Sequence, residues 1–193
     1  MSPATDDTTL LARYLDHDDL EALGELVEKY RVPLYSFLLR SVPSPADAAD
    51  AYQETWHRAI RSLQPRHAAH FSAWLFRIAR NLLVDNSRRA HPAFSLDAPP
   101  HPSDSASSAP VDRLPDPAPS PDRRAADADT YARILAAANT LPALQREVFW
   151  LRMAAARSFK EIAAIQKTTV NTVASRMNYA LEKMRALLND LRP

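Results

Sequence analysis

Read at 100° per residue, the stretch Phe71–Arg89 (FSAWLFRIARNLLVDNSRR) gathers Arg77, Arg80, Asn81 and Arg88 on one side. Val84 is the only large apolar residue among them, while Phe71, Trp74, Leu75, Ile78, Ala79, Leu82 and Leu83 share the other side. Guanidinium groups neutralise phosphates, and a carboxamide can both donate to and accept from a base edge, so this face suits recognition of a polyanion. A core helix with an ordinary solvated basic face would show the same pattern, and periodicity alone does not separate the two. A second polar set, Asn171, Thr172, Ser175 and Arg176, opens the last apolar-periodic stretch of the chain. His67 and His70 have the spacing of metal ligands on a helical turn, but no nearby carboxylate or cysteine completes a ligand set. No metal and no other cofactor is expected.

The elements that must position these residues are helical. A single glycine, Gly24, argues against hairpins and for helices joined by Pro, Ser and Asp turns. Residues 9–30 read as a short helix, an acidic capping turn at Asp16-His17-Asp18-Asp19, and a longer amphipathic helix that Pro33 breaks or kinks. Ser44 is a fair N-cap for a helix over Ala46–Leu63, with Tyr52, Thr55, Trp56, Ala59, Ile60 and Leu63 inside and Asp47, Asp50, Gln53, Glu54 and His57 outside. That acidic face is either plainly solvated or a dock for a basic partner, and composition favours the first. Gln64–His70 is a short, positively charged loop. Nine prolines between Pro92 and Pro121, mixed with Ser, Ala and Asp, mark residues 91–129 as an extended, disordered linker between a domain at 1–90 and one at 130–193. In the second domain Ser158-Phe159-Lys160-Glu161 is a capping box, and Thr168-Thr169 caps a further helix after a tight turn. A short capped helix, a turn and a longer helix whose first turns are polar have the layout of a helix-turn-helix.

Composition narrows the function classes. The 193 residues contain no cysteine, which excludes disulfides and thiolate zinc sites and fits a reducing cytosol. The N-terminus has neither the basic nor the apolar region of a signal peptide, and no apolar run approaches the roughly 18 residues of a membrane span. A net charge of +1 conceals −1 over residues 1–90, −4 over 91–129 and +6 over 130–193. Basic ends around an acidic connector suggest two nucleic-acid contacts on one string.

Taken together, four segments resemble the sigma factors of bacterial RNA polymerase, of the short extracytoplasmic-function (group 4) type. LLARYL…LEALGELVEKYRVPLYSFLLR looks like the opening helices of conserved region 2. PADAADAYQETWHRAI is similar to its polymerase-binding helix, FSAWLFRIARNLLVDNSRR to its Trp-Leu-aromatic-Arg-Ile-Ala-x-Asn segment, and LPALQREVFWLRMAAARSFKEIAAIQKTTVNTVASRMNYALEKMRALL to region 4. The resemblance implies an all-α fold of two small helical domains, region 2 and a region 4 helix-turn-helix, joined by the Pro-rich linker. It also implies a factor that binds core polymerase, directs it to promoters and helps melt the −10 element in the cytoplasm, using binding free energy alone and no catalytic residue.

On this reading Asp47, Asp50, Gln53 and Glu54 dock on the clamp helices of the largest polymerase subunit, and docking replaces the bland reading of that face. The loop before the Trp-bearing helix and Asn81 would hold non-template-strand bases, with Gln64, Arg66, His67, His70 and Phe71 furnishing a pocket and Trp74 packing beneath it. Arg77, Arg80 and Arg88 would complete the region 2 DNA contacts. Arg176, Thr172, Asn171 and Ser175 would read the −35 element, with Lys160, Lys167 and Arg157 near phosphates. The linker would follow the path of nascent RNA, and an anti-sigma factor is a further partner where one exists. Two features depart from the family. The turn usually written Leu-Gly-hydrophobic is Gln166-Lys167-Thr168, and the glycine usual near the start of the recognition helix is Asn171. Without glycine, one residue of the turn must accept an unfavourable φ, or the turn must be remodelled. The rival readings are a sigma-like protein that titrates an anti-sigma factor, a stand-alone helix-turn-helix repressor, and a metalloenzyme built on His57, His67 and His70.

Overall fold

Helix boundaries follow side chains that satisfy the first backbone N–H groups of each helix. In the computed structural model, which describes residues 6–90 and 121–189, every regular element is helical. Helix α1 (Asp7–His17) leads through Asp18, whose φ of 52° is left-handed, into α2 (Leu20–Leu39). The Asp19 carboxylate accepts from the N–H groups of Glu21 and Ala22, so the acidic turn is a cap as expected. Helix α2 runs on through Pro33 without interruption. The expected break does not occur because Leu26, Tyr30, Leu34, Phe37 and Leu38 are all buried along the same helix. Their packing outweighs the one hydrogen bond a proline cannot donate.

Ser44 caps α3 (Pro45–Ser62) by accepting from Asp47 N–H, and Pro45 stands where a first-turn proline is tolerated. Its inner stripe is buried at Thr55, Trp56 and Ala59, whereas Ile60 is exposed. Gln64–His70 is more ordered than a loop: Pro65–His70 form a 3-10 turn that leads directly into α4 (Phe71–Ala90). Helices α1 to α4 enclose one core, with Phe71 against Tyr30, Trp56 and Trp74 at its centre.

The second half begins earlier than expected. Helix α5 (Pro121–Asn139) starts inside the segment assigned to the linker. The apolar stripe beginning at Tyr131 marks only the part of α5 that meets a core, and the Arg- and Ala-rich residues before it extend the helix by propensity. The remainder of the proposed linker, residues 91–120, lies outside the described residues. Helices α6 (Ala143–Met153), α7 (Phe159–Gln166) and α8 (Val170–Leu187) follow. Ser158 and Glu161 form the capping box, and Thr169 caps α8 by accepting from Thr172 N–H. The turn between α7 and α8 resolves its missing glycine by placing Lys167 at φ 53°. The two halves pack on each other chiefly through α4 against α7.

Candidate nucleic-acid interface

Helix α4 is buried on two sides, and this divides its polar residues. Its inner face meets α2 and α3. A second stripe, Ser72, Phe76 and Arg80, repeats every four residues and turns toward the second half of the chain. Phe76 is fully buried between the Phe37 ring and the Arg157 guanidinium, which lies 5.3 Å from its ring centre. Ser72 Oγ donates to Glu161 Oε1 at 2.7 Å, and Arg157 reaches both Ser72 and Glu161. The Arg80 guanidinium stands 2.6 Å from Glu147 of α6. Of the candidate DNA-binding residues of α4, Asn81 and Arg88 are exposed and Arg77 is half-buried, while Asp85, also exposed, lies between them 3.9 Å from Arg58. The helical period places Arg80 on that open face, yet it is 22% exposed in an ion pair. Arg157 likewise departs from the phosphate-facing place expected of it, lying 16% exposed between the halves.

The turn ahead of α4 is built around His67. Its Nδ1 accepts from Gln64 N–H at 3.1 Å, and its ring stacks on Trp74 at 4.1 Å between centres with planes 16° apart. Trp74 thus packs under the turn, as expected. Arg66 and His70 are exposed at its edge, and Ala68 and Pro65 line a shallow apolar cleft against Leu11 and Leu15 of α1. Phe71 does not belong to this surface. It is 2% exposed, because its place at the start of α4 points it between Tyr30 and Trp56 rather than toward the turn.

Burial, then the Arg66 and Arg77 charges, push the His67 imidazole below its ordinary value near 6.5. A depressed imidazole contributes stability that is present above the unfolded value and lost as pH falls through the folded one. Acidification below about pH 6.5 is therefore expected to loosen the turn by protonating the capping nitrogen. An NMR titration of the His67 ring should show a midpoint below free histidine, with a coincident change at the Trp74 indole. A midpoint at or above the free value would contradict the capping geometry.

The other two histidines considered as metal ligands, His57 and His70, do not come together in a ligand set. His57 lies 3.7 Å from Glu54, and His70 is exposed. Among the described residues no group of three His, Cys, Asp or Glu side chains could hold a metal ion. On α3, Asp50 and Gln53 are exposed. Asp47 accepts from Ser44 Oγ at 2.7 Å, and Glu54 pairs with Arg58 at 2.6 Å. The Arg58 hydrogen bond holds the Glu54 carboxyl below its usual range.

On α8, Asn171 and Ser175 are exposed and Thr172 and Arg176 half-buried, all on its first turns. Arg176 donates to Gln166 Oε1 at 2.7 Å. Lys160 and Lys167 are exposed on α7 and the following turn. Glu147 is the residue that sequence reasoning missed. It sits between the halves at 16% exposure, in reach of Arg80, Gln166 and the field of Arg176, and burial raises its carboxyl above the usual range against the pull of those groups. Its only sequence signal is that it is one of few acidic residues in a basic third of the chain.

Among the described residues no helix is long and apolar enough to cross a membrane. The geometry is that of a helical bundle presenting Arg and Asn, followed by a helix-turn-helix, and comparison with known proteins agrees. Residues 26–92 match the family described as Sigma-70 region 2, and residues 131–184 match Sigma-70, region 4. The chain is 30% identical to the ECF RNA polymerase sigma-E factor of Escherichia coli K12, over all of this chain and 98% of that one. It is also 30% identical to the ECF RNA polymerase sigma factor SigE of Mycolicibacterium smegmatis, over 90% of this chain but only 64% of that longer protein. The structure of CnrH in complex with the cytosolic domain of CnrY superposes with a TM-score of 0.67 at 25% identity, over 97% of this chain and 99% of that one. The chain belongs to the extracytoplasmic-function, group 4, sigma factors of the sigma-70 family, non-enzymatic initiation factors that direct RNA polymerase to promoters.

Proposed function

We propose that this chain works in the cytoplasm by docking α3 on the clamp helices of the largest polymerase subunit. On this reading Asp47, Asp50, Gln53 and Glu54 meet a basic coiled coil. The 3-10 turn with Arg66, His67 and His70, and Asn81, Arg77 and Arg88 of α4, hold unpaired bases and phosphates of the −10 element, and Arg80 joins them once its pair with Glu147 opens. Asn171, Thr172, Ser175 and Arg176 read the −35 element in the major groove, where the N-terminal turns of a recognition helix meet base edges. Lys160 and Lys167 supply phosphate contacts. The domains are taken as 1–90 and 130–193, with α5 extending the second toward residue 121.

One observation carries this reading. After every buried and paired group is set aside, α4 still presents Arg77, Asn81 and Arg88 along one open stripe beside a turn whose His67 stacks on an indole. That combination favours productive DNA binding over a protein that only titrates an anti-sigma factor. An anti-sigma factor is the further proposed partner, by analogy with the family.

The test is run-off transcription with purified core polymerase on a promoter library, comparing wild type with Asn81→Ala and Arg176→Ala. Promoter-dependent initiation is expected, weakened at the −10 position by the first change. The second should cost about 1–3 kcal/mol of discrimination at one −35 base. Normal initiation by both variants would remove these residues from the DNA-reading role.

A further inference from the structure

The turn between α7 and α8 carries a side chain that the proposed function leaves unused. Gln166 is the last residue of α7, and Lys167 at φ 53° swings the chain away behind it. The Gln166 amide lies between one donor and two acceptors. On one side its Nε2 faces the Leu144 carbonyl at 3.5 Å and the Glu147 carboxylate, whose charge a Gln166 hydrogen bond favours. On the other side its Oε1 accepts from Arg176 Nη1 at 2.7 Å. A carboxamide has one donating end and one accepting end. With two acceptors behind it, only one orientation serves, and that orientation turns the oxygen toward Arg176. A leucine, usual at this place in the family, offers neither end.

Arg176 stands one helical turn beyond Thr172 on α8. Helical side chains slant toward the N-terminus of their own helix, which brings this long one back to the α7–α8 turn and to Gln166. A guanidinium has five N–H groups in one plane, and recognition of guanine O6 and N7 uses one edge of it. The Gln166 bond takes a hydrogen of Nη1 and leaves the Nε and Nη2 edge intact. We propose that Gln166 is a positioning residue for −35 specificity, holding Arg176 by Nη1 so that its Nε–Nη2 edge reads one guanine in the major groove. The proposal rests on the assignment of Arg176 to the −35 element. Leu144, Glu147, Gln166 and Arg176 all lie in the second half of the chain, so the device acts whatever the first half contacts. Two costs are met in advance. Arginine carries much rotamer entropy, and a side chain already held loses less of it on meeting a base. Glu147 also attracts Arg176, and the amide that bonds to both keeps the guanidinium from folding back onto the acid.

The test uses holoenzyme reconstituted from the full chain and core polymerase, transcribing barcoded templates with a randomised −35 element. Arg176→Ala should flatten a preference for guanine at one −35 base. Gln166→Leu should weaken the preference at that same base about 2- to 10-fold and leave the other −35 bases as they are. In the Arg176→Ala background, Gln166→Leu should change nothing further at that base, since the two residues act as a unit. A residue that only closed the end of α7 would instead lower initiation on every template alike. That uniform loss, or an effect of Gln166→Leu that persists undiminished without Arg176, would overturn the proposal while leaving Arg176 as a base reader. Arg176→Ala without effect on any −35 base would overturn both.

A rescue separates positioning from folding. Gln166→Glu with Glu147→Gln exchanges the amide and the carboxylate, so an oxygen again faces Arg176 and an N–H donor again stands behind it. The exchanged pair should recover the guanine preference that Gln166→Leu loses, and no recovery in a pair that melts with wild type would overturn the proposal. A template with 7-deazaguanine at the responsive base needs no further variant. Removing N7 takes one of the two acceptors from the Arg176 fork, so wild-type initiation should fall by about threefold or more, while Arg176→Ala should not respond. An equal response of the two proteins would overturn the two-pronged contact.

Discussion

Phe71→Ala is expected to lower the stability of the helical bundle by about 3–5 kcal/mol, the range for emptying a buried aromatic site. The ring is 2% exposed and stands 5.4 Å from Tyr30, 5.6 Å from Trp74 and 6.4 Å from Trp56, centre to centre. Each of these neighbours loses a packing partner when the ring is removed, and they belong to three different helices, so none can relax into the space without disturbing the others. Urea denaturation followed by tryptophan fluorescence measures the loss. The comparison that gives the result meaning is Asn81→Ala, an exposed change on the same helix, which should stay within about 0.5 kcal/mol of wild type. A residue that walled a base pocket would behave the opposite way, leaving stability unmoved and weakening DNA binding in the folded protein. Equal stability of Phe71→Ala and wild type would therefore return Phe71 to the DNA surface.

Phe71 also shows where sequence reading stops. Its place on the apolar face of α4 is plain from the period. Its assignment to a base pocket rests on adjacency to the charged turn, and adjacency in sequence does not fix the direction of a side chain at the first residue of a helix. Caps are legible because they are local: Asp19, Ser44, Ser158 and Thr169 each bond a backbone N–H two or three residues on, and all four do so. The glycine-less turn is legible for the same reason, since some residue has to take positive φ, and Lys167 does.

Phe76, Arg80 and Arg157 are not legible in the same way. Phe76 falls off the main apolar stripe of α4; it packs on Phe37 of α2, and Arg157, from far along the chain, covers its other side. Arg80 falls beside Arg77 and Asn81 in sequence, but its four-residue relation to Phe76 carries it round to Glu147. Contacts between residues some 70 to 90 positions apart have no period to announce them. The start of α5 at Pro121 is hidden differently, because prolines and acids around it resemble the linker more than a helix.

The largest effect on polymerase binding is expected from reversing the exposed acids of α3. Asp50→Lys with Glu54→Lys should weaken association with core polymerase by about 2–4 kcal/mol, or about 30- to 1000-fold, if both acids are central to the docking face. The argument is one of cost and geometry. Asp50 and Glu54 are four residues apart and so share a helix face, and Asp50 is fully open to a partner. Replacing both places two ammonium groups against a basic surface, so the lost attraction is joined by like-charge repulsion, and register is lost along with encounter rate.

Folding has little to lose by the change. Asp50 is exposed, and the Glu54–Arg58 pair is a solvent-screened surface pair that contributes little to stability. The buried side of α3, at Ala48, Ala51, Thr55, Trp56 and Ala59, is untouched. The double variant should therefore melt close to wild type and bind labelled single-stranded DNA no more weakly. It should fail to co-elute with core polymerase and fail to support run-off transcription. Retained polymerase affinity in a folded double variant would move the docking face off α3. The surface then left to consider would be the exposed side of α8, where Tyr179 and Leu187 stand open.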